Sequence, residues 1–137
     1  SQTGNNQTEG EYASLQDALE QYGIYDAVVP QYIPDGFKLQ EIWVQEYPDM
    51  GKIEFSAPYE NDDDNIVITI IQNNGQANKS YEKNGQAVEK YMSGNIEHYI
   101  FQNNNNTTAA WYVGSLECSI STTLPVTELE KMIDSIY

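Results

Sequence analysis

The chain has 137 residues and a mass of 15.5 kDa, one domain's worth of polypeptide, and folding at that size hides roughly two thirds of the extended chain's surface. Its 6 basic residues, all lysine, stand against 21 acidic ones for a formal charge of −15, which leaves no positive stripe to displace counterions from nucleic acid or to hold an anionic membrane surface. A composition 39% hydrophobic and 12% aromatic, with no apolar run near the roughly 20 residues of a membrane span, describes a compact, soluble, acidic domain rather than a disordered or membrane-spanning one.

In chain order, Ser1 to Gly10 (SQTGNNQTEG) is polar, with no aliphatic or aromatic residue and no signal-peptide apolar region. It reads as a flexible tether, residues 1–10, of the kind that follows a removed signal or an anchoring helix, ahead of a single domain over 11–137. Residues 11–22 carry Leu15, Ala18, Leu19 and Tyr22 at helical spacing. Thr8 with Glu11, or Ser14 with Asp17, starts that helix, and Gly23 ends it. Residues 28–37 form a stiff connector: Pro30 and Pro34 push the residues before them toward extended geometry, and Asp35-Gly36 signals a turn.

From Phe37 onward the apolar period changes to two. Phe37, Leu39, Trp43 and Tyr47 alternate with Lys38, Gln40 and Glu46, interrupted by Ile42 and Val44, and Ile53, Phe55 and Ala57 alternate with Lys52, Glu54 and Ser56. Residues 65–73 (NIVITIIQN) are apolar on both faces and predict a central strand covered on each side. Further strands are expected in 86–92 (around Val88 or Tyr91), 96–102, 109–113 and 116–122. Asn73-Asn74-Gly75, Asn84-Gly85, Ser93-Gly94 and Gly114-Ser115 mark turns. Their close spacing leaves no room for crossover helices, so the sheet is antiparallel. A last helix carries Leu129, Met132, Ile133 and Ile136, with Thr127 and Glu130 as a capping box after Pro125. The expected fold is α+β: a single antiparallel, meander-like sheet of six to seven strands, with an N-terminal and a C-terminal helix packed on it.

Several of these segments resemble an uncharacterised family of bacterial extracytoplasmic domains, a domain of unknown function found mainly in Gram-positive bacteria. The resembling stretches are V-P-Q-Y-I-P-D-G-F (Val29 to Phe37), H-Y-I-F-Q-N-N (His98 to Asn104), Trp111, E-C-S-I (Glu117 to Ile120) and E-L-E-K-M-I-D-S-I-Y (Glu128 to Tyr137), and the resemblance spans about residues 12–137. It implies an extracytoplasmic address behind a transmembrane or lipoprotein anchor, with some members similar to the sensor ends of anti-sigma-like proteins. It carries over no catalytic residue. The heavy use of asparagine and the lysine-only basicity agree with the codon bias of an AT-rich bacterial genome, where the Asn-x-Ser/Thr sites at Asn6, Asn78, Asn105 and Asn106 have no glycosylation role.

Chemistry-bearing residues are few. Cys118 rules out an intramolecular disulfide by being the sole cysteine, and His98 is the only base of its kind. Both alternate in phase with aliphatic neighbours (Ile96 and Ile100; Leu116 and Ile120), which marks them as inward, structural positions. Glu60, Asp62, Asp63 and Asp64 form an acidic run able to offer oxygen ligands to calcium, but the EF-hand pattern fails, since Val67 stands where glycine is needed. A solvated turn explains the run without a metal. Trp43 and Trp111 read as core, whereas Tyr12, Tyr25, Tyr32, Tyr59 and Tyr81 lie in helix ends or connectors and offer material for a binding surface. The expectation is a non-enzymatic, monomeric binding or sensory domain with no cofactor, held at the cell surface through an anchor and binding a protein or wall ligand. Its rivals are a wall-glycan hydrolase using a carboxylate pair and a carrier enclosing an apolar ligand.

Overall fold

The computed structural model describes residues 7–9, 12–73 and 89–137. The two helices are α1 (Leu15–Gln21) and α2 (Val126–Asp134). The strands are β1 (Gln7–Glu9), β2 (Lys38–Leu39), β3 (Trp43–Tyr47), β4 (Lys52–Glu60), β5 (Asn65–Asn73), β6 (Glu89–Ser93), β7 (Ile96–Asn103), β8 (Asn106–Val113) and β9 (Leu116–Thr122). All nine lie in one antiparallel sheet of order β1-β3-β4-β5-β9-β8-β7-β6, with β2 also pairing β4. The α+β architecture is the expected one, with more strands because β1 and β2 are too short to read from alternation. Gln7–Glu9, inside the segment read as a tether, pairs with Gln45, Val44 and Trp43 of β3. The sheet is two meanders, β3-β4-β5 and β6-β7-β8-β9, sewn together by the non-local β5–β9 pair.

Local chemistry sets the ends of the elements. Ser14 Oγ accepts the Asp17 N–H at 3.0 Å to start α1, and Gly23, at φ +78°, stops it. The alternative Thr8–Glu11 start falls on β1 and on a residue outside the described ones. At α2 the expected capping box does not form: the helix begins two residues earlier, after Pro125, with no side-chain cap. Proline's fixed φ and absent N–H set the entry there. Gly94 and Asn95, at φ +59° and +64°, make the tight β6–β7 turn, one residue beyond the Ser93-Gly94 reading. The turns at Asn73-Asn74-Gly75 and Asn84-Gly85, and Val88, lie outside the described residues in whole or in part.

Both helices land on the same face of the sheet. One continuous core joins Leu15, Ala18 and Leu19 of α1 and Leu129, Met132 and Ile133 of α2 to Phe55, Ile66, Ile68, Ile70, Trp111 and Ile120 of the strands. The connector laces the two helices together, because the Gln31 and Tyr32 N–H groups both donate to Ser135 Oγ, at 2.9 and 3.0 Å. β5 is central as expected, but only Ile66, Ile68 and Ile70 are buried; Val67, Thr69 and Ile71 remain partly exposed. The prediction of cover on both sides is corrected for the described residues: the two short helices, seven and nine residues long, both lie on one face.

Candidate interaction face

Among the described residues no helix or loop packs over the second face, and the strand registers lay out what it presents. One line of residues crosses the strands through Trp43, Ser56, Thr69, Ser119, Ala110 and Tyr99. The next line runs through Gln45, Glu54, Ile71, Glu117 and Tyr112. Extended past the last paired residues of β7 and β8 it reaches Glu97, whose partner on β6 is Met92. A third line holds Pro58, Val67, Ser121, Thr108 and Phe101. Apart from buried Ala110 and the exposed Glu97 and Met92, these side chains are partly exposed, so the face is a broad surface studded with Trp43, Tyr47, Tyr99, Phe101 and Tyr112.

Polar groups on the face bond along it. Thr108 Oγ1 meets Ser121 Oγ at 3.1 Å, the Tyr99 hydroxyl donates to Glu97 Oε1 at 3.0 Å, and the Asn73 amide donates to Glu117 Oε2. Lys52 Nζ lies 5.1 Å from the Tyr47 ring centroid, within cation–π range. Such a surface pairs rigid aromatic area with satisfied polar groups, the composition that protein interfaces enrich. The tryptophan on this face departs from the sequence expectation. Trp43 is not core: Ile42 and Val44 point inward and are buried, which turns Trp43 out. The usable signal was the phase of Glu54 and Glu117 between inward neighbours (Phe55; Leu116 and Cys118), which marks one parity as solvent-facing.

His98 and Cys118 are both buried, as their phase indicated. A carbonyl can only accept, so His98 Nδ1 donates to the Tyr91 oxygen at 3.2 Å, and in the neutral ring Nε2 then accepts from the Tyr137 hydroxyl at 2.8 Å. Both ring nitrogens are thus engaged away from the thiol. Burial pushes the Cys118 thiol well up, away from the thiolate a nucleophile needs, and lowers the His98 pKa from its ordinary 6.5. Around them, Asp134 of α2 accepts from the Tyr91 hydroxyl at 2.8 Å and from Ser93 Oγ at 2.7 Å. That hydrogen bond, ahead of burial, raises the Tyr91 pKa to about 12. The Tyr137 ring lies against Gly94, where an added Cβ would fall 2.3 Å from the ring. These groups act as a clasp between the end of α2 and the β6–β7 hairpin. Trp111, 0% exposed, stacks obliquely 4.8 Å from the His98 ring, and its Nε1 has no hydrogen-bond partner among the described residues.

The acidic run is divided by the turn it forms. Asn61 Oδ1 accepts the N–H groups of Asp63 and Asp64 at 2.9 and 2.6 Å, and Thr123 Oγ1 donates to Asp64 at 2.9 Å. Glu60 and Asp62 line a shallow polar depression of about 430 Å³ with Lys38 and Gln40, whereas Asp63 and Asp64 line another of about 570 Å³ beside Asn104, Asn105 and Asn106. Among the described residues no group of three or more His, Cys, Asp or Glu side chains is placed to hold a metal ion. Of the connector tyrosines, Tyr25 is 72% exposed, Tyr32 donates to Glu128 at 3.0 Å, and Tyr12 and Tyr59 pack against the core. Tyr81 lies outside the described residues.

The sequence matches the family described as domain of unknown function (DUF4367) over residues 27–136. Comparison with curated proteins finds no match. Among solved structures the fold is similar to MucB, in the crystal structure of MucB in complex with MucA(peri). That likeness has a TM-score of 0.52 at 11% identity and covers 82% of this chain. The chain spans 36% of the length of that MucB chain, and at this identity the likeness is one of fold.

Proposed function

The chain belongs to the DUF4367 family, and we propose that this member is a non-enzymatic binding or sensory domain that takes a protein partner on the open face of its sheet. The observation that carries the reading is the asymmetry of the sheet: one face is sealed by α1, α2 and the connector, and the other presents Trp43, Tyr47, Tyr99, Phe101 and Tyr112. A partly exposed aromatic area of this kind is material that interfaces bury. The fold likeness to MucB, a protein crystallised in complex with MucA(peri), supports a protein partner over a small ligand. Building His98 and Cys118 into the core supports a role without nucleophilic catalysis. The domain acts outside the membrane behind an anchor, a reading supported by the resemblance of its segments to extracytoplasmic domains and by its acidic, arginine-free composition.

The test replaces Tyr112 by a photo-crosslinking phenylalanine analogue in the native host cell, with the same replacement at Tyr25 as the control. Tyr25 is exposed but lies in the loop after α1. A discrete adduct at Tyr112 and none at Tyr25 supports the reading. No adduct at Tyr112, or the same adducts at both positions, overturns it. A membrane-impermeant amine reagent on the same intact cells tests the address: lysine labelling is expected, and protection until lysis refutes an outside location.

A further inference from the structure

Three connections meet where the sheet passes into α2. The β4–β5 turn brings Asp63 and Asp64, the β7–β8 turn brings Asn104 and Asn105, and the β9–α2 connection brings Leu124 and Pro125. Between them lies the polar depression of about 570 Å³. Its acidic wall is held in place by the fold. Asn61 Oδ1 accepts the Asp63 and Asp64 N–H groups. Thr123 Oγ1 accepts the Asn65 N–H at 3.0 Å and donates to Asp64 Oδ1 at 2.9 Å, which orients that carboxylate and leaves it acceptor capacity.

Thr107 of β8 lines the same depression. It shares the inward parity of Thr122 and Ile66, its neighbours across β9 and β5, and is only 9% exposed. The hydroxyls of Thr108, Thr122 and Thr123 all bond within the protein. That of Thr107 has no hydrogen-bond partner among the described residues. A hydroxyl so deeply buried and unmatched costs free energy unless something entering the depression meets it. We infer that this depression binds a neutral sugar ring, gripped through two adjacent hydroxyls.

Small-molecule sites occupy about 300–1,000 Å³, so the volume suits a sugar residue better than a protein segment. The carboxylates of Asp63 and Asp64 only accept, the asparagine amides donate and accept, and the Thr107 hydroxyl does both. That mixture matches a ligand rich in hydroxyls, and one carboxylate can accept from two neighbouring hydroxyls at once. Leu124 and Pro125 add apolar surface for the C–H side of the ring. An anion is the wrong occupant, because no lysine is among the described lining residues and the chain carries −15. A bare cation is also disfavoured, since among the described residues no three His, Cys, Asp or Glu side chains converge to hold one. Thr107 has the opposite parity to Thr108 of the open face, so the site stands apart from that face and does not rest on it.

The test is an amide NMR titration of the full chain with the methyl glycosides of glucose, galactose, mannose and N-acetylglucosamine, in the presence of EDTA. The permethylated form of each, which has no hydroxyl to donate, is the control, and calcium alone is titrated separately. At least one glycoside should bind with a Kd of about 1–10 mM and shift the signals of Asp64, Asn104, Asn105 and Thr107, while its permethylated form does not. Asp64→Asn should weaken binding about tenfold and the shape-preserving Thr107→Val about fivefold. E60Q/D62N, in the neighbouring depression, should change it by no more than about twofold. Should Asp64→Asn loosen its turn, Thr107→Val alone decides. Silence at these residues with every glycoside up to about 50 mM, equal shifts from the permethylated forms, or full binding by Thr107→Val overturns the inference. Shifts with calcium alone and none with the glycosides overturn it too, and give the depression to a cation.

Discussion

The two faces of this sheet are made from the same strands and read out alternate residues, yet they are chemically unlike. Along β9, Leu116, Cys118, Ile120 and Thr122 are buried under the helices, while Glu117, Ser119 and Ser121 stay partly exposed. On β5, Ile66, Ile68 and Ile70 enter the core and Val67, Thr69 and Ile71 do not. The apolar residues Trp43, Val67, Ile71 and Phe101 are as greasy as their covered neighbours, so hydrophobicity alone does not decide burial. What decides it is where the apolar stripes of α1 and α2 land, and both land on one side. A face that no described helix covers and that keeps large, partly exposed apolar side chains is the feature on which the proposed interface rests.

The sharpest break of the comparison uses its two tryptophans. Trp111→Ala removes a fully buried ring from the covered face and should cost about 3–5 kcal/mol in urea unfolding. Trp43→Ala acts on the partly exposed counterpart and should cost about 1 kcal/mol, while abolishing the fluorescence response of the open face to a partner. Similar losses for both would mean that the second face is covered after all and would withdraw the case for an interface.

Much of this was legible without coordinates. Inward phase places His98, Cys118, Trp111 and Phe55 correctly, and the Ser14 cap and Gly23 stop of α1 follow from side-chain chemistry acting over three or four residues. Trp43 was lost because β3 begins after an irregular stretch, where Ile42 and Val44 take over the inward phase from Phe37 and Leu39. β5 reads as covered twice because alternation of one aliphatic with another has no polar residue to mark the outside. The open face itself depends on the β5–β9 pair, which joins strands more than forty residues apart, and no local pattern encodes such a pairing.

A finer cut compares neighbours. Thr122 is buried, and its Oγ1 donates to the Asn65 carbonyl at 2.8 Å and accepts from the Leu124 N–H at 3.1 Å. Thr122→Val keeps the shape but takes the acceptor from the Leu124 N–H, while the Asn65 carbonyl keeps the Thr123 N–H, with an expected loss of about 1–3 kcal/mol. Ser121→Ala, on the open face, breaks only the bond to Thr108, and water replaces it, so the change should stay within about 0.5 kcal/mol. Chemical denaturation of the two variants side by side measures the contrast, and a costly Ser121→Ala would show that the open face is a structural part of the fold.

The smallest effect expected is a slope, and it belongs to the covered face alone. His98 is held neutral there by burial, against the Tyr91 carbonyl, the Tyr137 hydroxyl and Trp111, with Asp134 the nearby charge that favours protonation. Burial dominates, so the folded-state pKa lies below the ordinary 6.5 of the unfolded chain. The unfolded state therefore binds the proton more readily as pH falls. The His98 contribution is complete above about pH 6.5 and is lost as pH drops through the lower folded value, at no more than about 1.4 kcal/mol per pH unit for a single proton. Glu130 works in the opposite sense, since burial and the nearby Glu89 and Asp134 raise its pKa and give the folded state the extra proton. The difference between native and His98→Phe chains isolates the histidine. Urea midpoints at pH 7.5 and 5.5 should fall more steeply for the native chain than for the variant. Parallel slopes would mean that His98 takes up its proton in place, and that the clasp between α2 and the β6–β7 hairpin tolerates the charge that the buried face otherwise excludes.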